Sequence, residues 1–394
     1  MNKKFFINAF NSNIINALGK ISAFYFLSRL LELDIFSSLM ISIVVIEITS
    51  MILDLGHSTS IFTHTSSKDE LKKEFFSIYL IKIIFFLLIS PIIFLSGEIY
   101  LYAVFPLLLF NFYNIYLDRL FLFQTVLYRS LFDAILRIVL IYFISNNVIQ
   151  LNDMILVFYF PILLIVIFDT LKSILFNPSI IKEFFTNLNN RFDKLIFYTK
   201  EGLSPYFDGM VVMLLRRADI FYVSFFLGQS ISGKFAALFS LINFLPMISS
   251  AVNRVILSFV LENNDTYSFI SQNRFKIIIY GFTFALLTSV AMLPIYNYTY
   301  PDSVKIDSLI SFLCFIGVAI NFPYQTLILP LYKIKRLDYG LKIRIIQLLI
   351  QTVSSIFFIK NFGIIGVPIS LILVRLAGIV LINSFLVKLN LDEK

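Results

Sequence analysis

Apolar runs of about twenty residues recur from one end of this chain to the other, parted only by short polar turns. A segment of that kind has one stable form in hydrocarbon, an α-helix, because the helix pairs its backbone N–H and C=O groups internally. Only 14% of the 394 residues are charged and 59% are hydrophobic, whereas a soluble domain carries about 25% charged residues. The chain therefore reads as an integral membrane protein with no separate soluble domain. The N-terminal MNKKFFINAF has two lysines before an apolar run and no small-residue cleavage site, so it reads as an uncleaved first span.

Hydropathy and length place about twelve spans. They cover residues 5–30, 35–62, 74–95, 99–124, 131–149, 154–176, 201–228, 233–261, 275–298, 307–332, 341–360 and 363–387. With both termini cytoplasmic, the inside loops and ends hold nineteen lysines and arginines, Arg129 among them. The outside loops hold four: Arg29, Lys234, Lys305 and Lys360. That bias is what the positive-inside rule requires of an even span count. It also makes the net charge of +8 topological, not a nucleic-acid signal.

Sliding the chain by 196 positions sets Tyr25 against Phe221, Ser28 against Ser224, Leu31 against Leu227 and Ser37 against Gly233. The repeat is weak, but it fits a six-plus-six plan in which the substrate path lies between halves. The expected fold class is all-α, an integral membrane protein of two six-helix lobes. Residues 1–176 form the N-terminal lobe, 177–200 a cytoplasmic inter-lobe loop, 201–388 the C-terminal lobe and 389–394 a cytoplasmic tail.

Chemistry is sparse. Cys314 is the single cysteine, and His57 and His64 are the only histidines, so neither a disulfide nor a Cys/His metal site can be assembled. No catalytic residue, metal or cofactor is expected. What stands out is charge inside spans, which marks a polar cavity or a buried partner. The seventh span, EGLSPYFDGMVVMLLRRADIFYVSFFLG, carries Arg216 and Arg217 near its middle with Asp208 and Asp219 close by. Asp208 and Asp219 share a helical face, and Arg216 stands three residues before Asp219, near enough to pair with it. Guanidinium forks match phosphate oxygens, so the arginines are candidate ligands for a diphosphate; the alternative is an internal Arg–Asp pair that locks the span to its neighbours. Arg217 points about 100° away from Arg216.

Elsewhere, Asn13, Asn16 and Lys20 form a polar face of the first span, and Glu47 and Asp54 share a face of the second. Glu47 is either a proton or cation site or the counter-charge of Lys20 or Lys82. Lys20 and Lys82 are candidates for added positive potential in a cavity. Arg119, Asp133, Arg137, Lys172 and Arg254 lie near cytoplasmic span ends, where snorkelling is expected. Asn111, Asn114, Asn321 and Gln325 are interior amides expected to hydrogen-bond between helices or to meet sugar hydroxyls. Nine prolines in or beside spans, from Pro91 to Pro368, are expected to kink helices.

Three stretches resemble landmarks of one family. FYFLSRLLELDIFSSLMIS is similar to the first outside turn of polysaccharide-export flippases, with Arg29 at the motif arginine and Glu32 and Ser37 where glycine is usual. RADIFYVSFFLGQSISGKFAAL resembles the second landmark through Arg217, Asp219, Gly228 and Gly233, with Phe235 in place of tyrosine. NFGIIGVPISLILVRL resembles the entry to the last span through Gly363 and Gly366. The family is the O-antigen (Wzx-type) branch of the multidrug/oligosaccharidyl-lipid/polysaccharide exporter superfamily. The resemblance implies a central cationic cavity and alternating access. The implied cargo is an undecaprenyl-diphosphate-linked oligosaccharide of O-antigen or capsule, carried across the bacterial inner membrane. Membrane lipids, a polysaccharide polymerase and a chain-length regulator are the implied partners. The lipid II branch has an Arg–Asp pair in its first span; none lies between Phe5 and Leu27, which makes lipid II a poor substrate guess. The alternatives are a multidrug extruder of the same fold, which would favour a carboxylate-rich cavity, and a membrane polysaccharide polymerase or glycosyltransferase. The latter needs a sizeable outside loop, and SNNVIQLND and NYTYPDSVKID are too short to form a site.

Overall fold

The computed structural model describes residues 3–64, 68–96, 102–120, 122–144, 151–176, 188–242, 245, 270, 272–333 and 337–392. Every regular element among them is helical. In chain order they are α1 (Lys3–Leu30), α2 (Leu33–Asp54), α3 (His57–His64), α4 (Lys68–Ser96), α5 (Val104–Arg119), α6 (Phe123–Ile144) and α7 (Leu151–Phe176). There follow α8 (Leu188–Leu227), α9 (Gln229–Ile242), α10 (Arg274–Thr299), α11 (Ser308–Ala319), α12 (Asn321–Leu327) and α13 (Leu329–Lys333). The last two are α14 (Leu337–Phe362) and α15 (Gly366–Asp392). As far as the described residues reach, each expected span falls on a helix or a broken run of helices, and the fold is all-α. Most of residues 243–269, hence Arg254 and the end of the eighth span, lie outside the described residues, as do the side chains of Asn13, Asn16 and Arg119.

Local chemistry sets several boundaries. Asp307 caps α11, its carboxylate accepting from the backbone N–H of Leu309 at 2.8 Å and Ile310 at 3.3 Å. Gly228, at φ +90°, and Gly363, at φ +60°, make the tight turns after α8 and α14 that a side chain would strain. The tenth span is broken into α11, α12 and α13, with Pro323 and Pro330 in its second half. Pro91, Pro161 and Pro294, by contrast, sit inside continuous helices.

One boundary differs from expectation. The polar stretch read as a loop over 177–200 is helical from Leu188, and α8 runs unbroken for 40 residues. The stretch Leu188–Lys200 lacks proline and glycine, so nothing in it opposes propagation of the helix from the span behind.

The chain resolves into two compact units: residues 1–27 with 41–210, and residues 28–40 with 211–394. The first unit holds an aromatic core in which Phe75 stacks on Phe112 at 4.8 Å and on Tyr116 at 4.2 Å between ring centroids. Within it Gly56, at φ +75°, meets Gly202 of α8 backbone to backbone; a Cβ on Gly202 would come 2.6 Å from the Gly56 carbonyl oxygen. The second unit buries Phe235, Phe239, Tyr296, Tyr300, Cys314 and Phe315. Residues 28–40 pack here through three contacts. Arg29 donates to the carbonyls of Thr299 and, at 3.1 Å, Tyr298. Gln229 donates to Ser38 at 2.6 Å, and Ser37 fills the space where a Cβ of Gly233 would lie. A glycine at 233 is thus required by the serine against it.

Candidate functional site

The charged seventh span lies on α8, and the second unit surrounds the part that carries its arginines. Val211, Leu215 and Val374 form an apolar cluster, packed by Leu341, Leu348 and Ile350. Beside that cluster three helices exchange polar contacts. Asp219 is buried and accepts from Gln351 Nε2 of α14 at 2.7 Å and from Ser355 Oγ at 3.3 Å. Ser355 shares a hydrogen bond with Ser370 of α15 at 2.8 Å, and Ser370 shares another with Ser354 at 2.7 Å. The carbonyl of Leu215 receives both Gln351 Nε2 at 3.3 Å and Arg375 Nη2 of α15 at 3.1 Å. Gln347 donates to Val374 O at 3.3 Å in space that a Cβ at Gly378 would fill.

Arg216 points elsewhere. Its side chain is exposed, while its neighbours Leu215 and Ala218 are buried and Arg217 is half-buried. The charges of Arg217, Arg344 and Arg375 all act on it. Arg216 thus stands in a cluster of guanidinium groups, while the buried carboxylate Asp219 feels the charge of Arg375. The expected Arg216–Asp219 pair is not formed; the carboxylate turns to Gln351 and Ser355, and Arg375 supplies the nearby positive charge. The cause is burial: Asp219 faces inward between α14 and α15, and the residue three places earlier does not.

In the first unit the candidate charges are neutralised in pairs. Lys20 meets Glu47 at 3.3 Å, the counter-charge arrangement that the sequence left open. Lys82 meets Asp54 Oδ1 at 3.2 Å and lies 5.1 Å from the Phe112 ring centroid; Ser58 Oγ donates to the other Asp54 oxygen at 2.7 Å. The shared face of Glu47 and Asp54 on α2 is thus used twice, for two lysines on two helices. Asp208 is half-buried on the stretch of α8 that belongs to this unit. Asp208 and Asp219, read as sharing a face, therefore fall in different units.

Two basic residues are not where the sequence put them. Arg137, expected to snorkel, is buried against Asp133 at 2.7 Å and lies 4.2 Å from the Phe158 ring. Arg129, counted in an inside loop, lies within α6 and is buried with Asp169 at 2.8 Å and Asn114 at 2.7 Å. Lys172 is exposed. Asn321 and Gln325 line a small cavity with Leu245, Phe284, Val318 and Phe322, whereas Asn111 is exposed. Sequence reasoning missed Arg375, Gln347, Gln351 and Asp169. Arg375 carried a usable signal, since it is an arginine mid-way along the last span; the glutamines carried none beyond being amides in an apolar run.

No family model matches the chain, and no curated protein matches it. Solved structures do. A multidrug resistance MATE family transporter of the MOP superfamily, in an outward-facing conformation, aligns with a TM-score of 0.66 at 13% identity, covering 97% of this chain and 93% of its own. A MATE structure in complex with MaL6 gives 0.63 at 13%, with 98% and 96% covered. The lipid II flippase MurJ, inward closed, gives 0.60 at 14%, with 97% and 87% covered. At these identities the likeness establishes the fold: the chain is a multi-pass, all-helical membrane protein built like the MOP transporters.

Proposed function

We propose that the chain is a flippase that moves an undecaprenyl-diphosphate-linked oligosaccharide, a repeat unit of O-antigen or capsule, across the bacterial inner membrane. Both termini are cytoplasmic in this reading. The supporting observation is the clustering of guanidinium groups in the second unit, where the charges of Arg217, Arg344 and Arg375 all act on the exposed Arg216. Guanidinium groups held in a weakly polar setting suit the fixed double charge of a diphosphate and would repel a cationic drug. Arg216 is the leading ligand because its side chain is exposed. Arg217 supports it, and Lys20 and Lys82 add positive potential at the expense of their pairs with Glu47 and Asp54. Asp208 is the candidate orienting acid, Asp219 acts on the basic groups through Arg375, and Glu47 is the candidate for linking transport to a proton or cation. The polymerase and chain-length regulator of the pathway are the partners on the outer side.

A second reading, a multidrug extruder, has support from the MATE structures among the matches. Reconstituted vesicles separate the two. Labelled lipid-linked oligosaccharide should change leaflets with the intact chain and slow about tenfold or more with R216A/R217A, the loss expected from charge-assisted contacts worth about 1.5–3 kcal/mol. Uptake of a cationic dye with no movement of the glycolipid would reject the flippase reading.

A further inference from the structure

We infer that Arg375 is a positioning residue that leaves Arg216 available to ligand, by answering the charge of Asp219 in its place. The functional consequence rests on the anion-binding reading above; the geometry does not. Asp219 is 1% exposed and Arg375 7% exposed, so each needs an opposite charge close by. Two cations compete for Asp219. One is Arg216, three residues earlier on the same helix, a spacing at which ion pairs readily form. The other is Arg375, delivered from α15. The structure takes the second arrangement. Arg375 bonds the Leu215 carbonyl, Gln351 bonds both that carbonyl and Asp219, and Ser355 bonds the remaining carboxylate oxygen.

Leu215 and Asp219 lie one turn apart on one face of α8, and donors anchored on α14 and α15 hold both points. That fixes the rotation of α8 about its axis. A turn of one residue, about 100°, would carry Arg216 toward the buried side and pull Asp219 out of its bonds. With Arg375 gone, Asp219 would be a buried charge with only neutral donors, and the nearest remedy is for Arg216 to fold back onto it. The arginine of the last span therefore acts on ligand through the seventh, without touching ligand itself.

The test reads Arg216 directly, with no transport substrate. Purified full-length protein is treated with phenylglyoxal, and modification of Arg216 is followed by mass spectrometry. R375Q should slow that modification about tenfold, equivalent to about 1.4 kcal/mol. R375K, which keeps the charge, and R375Q/D219N, which removes the carboxylate that draws Arg216 back, should both stay within about twofold of the parent. A merely structural Arg375 would not give rescue by D219N. If R375Q does not fold, the double variant carries the test, because it leaves no lone buried charge. Protection of Arg216 in R375Q/D219N, or an unchanged rate in a folded R375Q, overturns the proposal. Loss of glycolipid transport in R216A with the reactivity pattern intact supports both readings. An intact reactivity pattern with unaffected transport rejects the anion site and leaves the positioning role standing.

Discussion

At the scale of single residues, the buried charges divide into those whose partner is fixed locally and those whose partner arrives from elsewhere in the chain. Asp133 and Arg137 are four apart on one helix, and their pairing is legible from spacing alone. Lys82 and Asp54 are 28 positions apart, and only the fold brings them together. Breaking that pair should be costly: K82M leaves a half-sequestered carboxylate and should destabilise the protein by about 3–5 kcal/mol. K82M/D54N should recover most of the loss, and denaturant or thermal unfolding in detergent measures both. Periodicity puts Glu47 and Asp54 on one face of α2 and leaves Lys20 or Lys82 as a counter-charge for Glu47 alone. The structure gives Lys20 to Glu47, while the partner of Asp54, Lys82, was not legible from spacing. Periodicity could not find Gln351 or Arg375 either, because a helical face says which way a residue points and nothing about which helix stands there. The same limit explains the Arg216–Asp219 expectation, where spacing offered a partner and burial chose another.

At the scale of elements, the spans were legible because each is a long apolar run, while breaks and extensions were not. The helix α8 is 40 residues long, about 60 Å at 1.5 Å per residue, and so far exceeds a hydrocarbon core of about 30 Å. Its first turns are polar, and hydropathy alone reads polar sequence as loop. Slow amide hydrogen exchange over residues 192–200 is expected of the helix, whereas a loop would exchange at once. Close helix approach is a second element-level property that composition hides. Gly56 and Gly202 touch through their backbones, so G202L should force α8 away from the turn after α2 and cost about 2 kcal/mol or more by overpacking. The His57–Thr199 hydrogen bond, 2.8 Å long and one turn earlier on α8, should weaken with it. Arg29 acts at the end of an element, where its guanidinium meets the last carbonyls of α10. R29A should cost about 1 kcal/mol, and R29K should cost less, since a cation at a helix C-terminus is favourable even without the fork.

At the scale of the whole molecule, the all-helical fold of the chain was legible from hydropathy. Compactness splits the chain within α8 and assigns residues 28–40 to the second unit, because contacts decide the grouping and these are long-range in sequence. A fluorescent reporter fused after Lys394 should light up in cells if both termini are cytoplasmic, and a dark fusion would reverse the orientation. Cys314 offers a different kind of access to the molecule. It is the chain's one thiol and is fully buried in the core of the second unit. A small membrane-permeant maleimide should therefore react with the native protein only as fast as that core opens, in the manner of a slowly exchanging amide. The protein thus carries an internal clock for its own breathing, readable without an introduced cysteine, against which the variants above can be timed in the intact membrane.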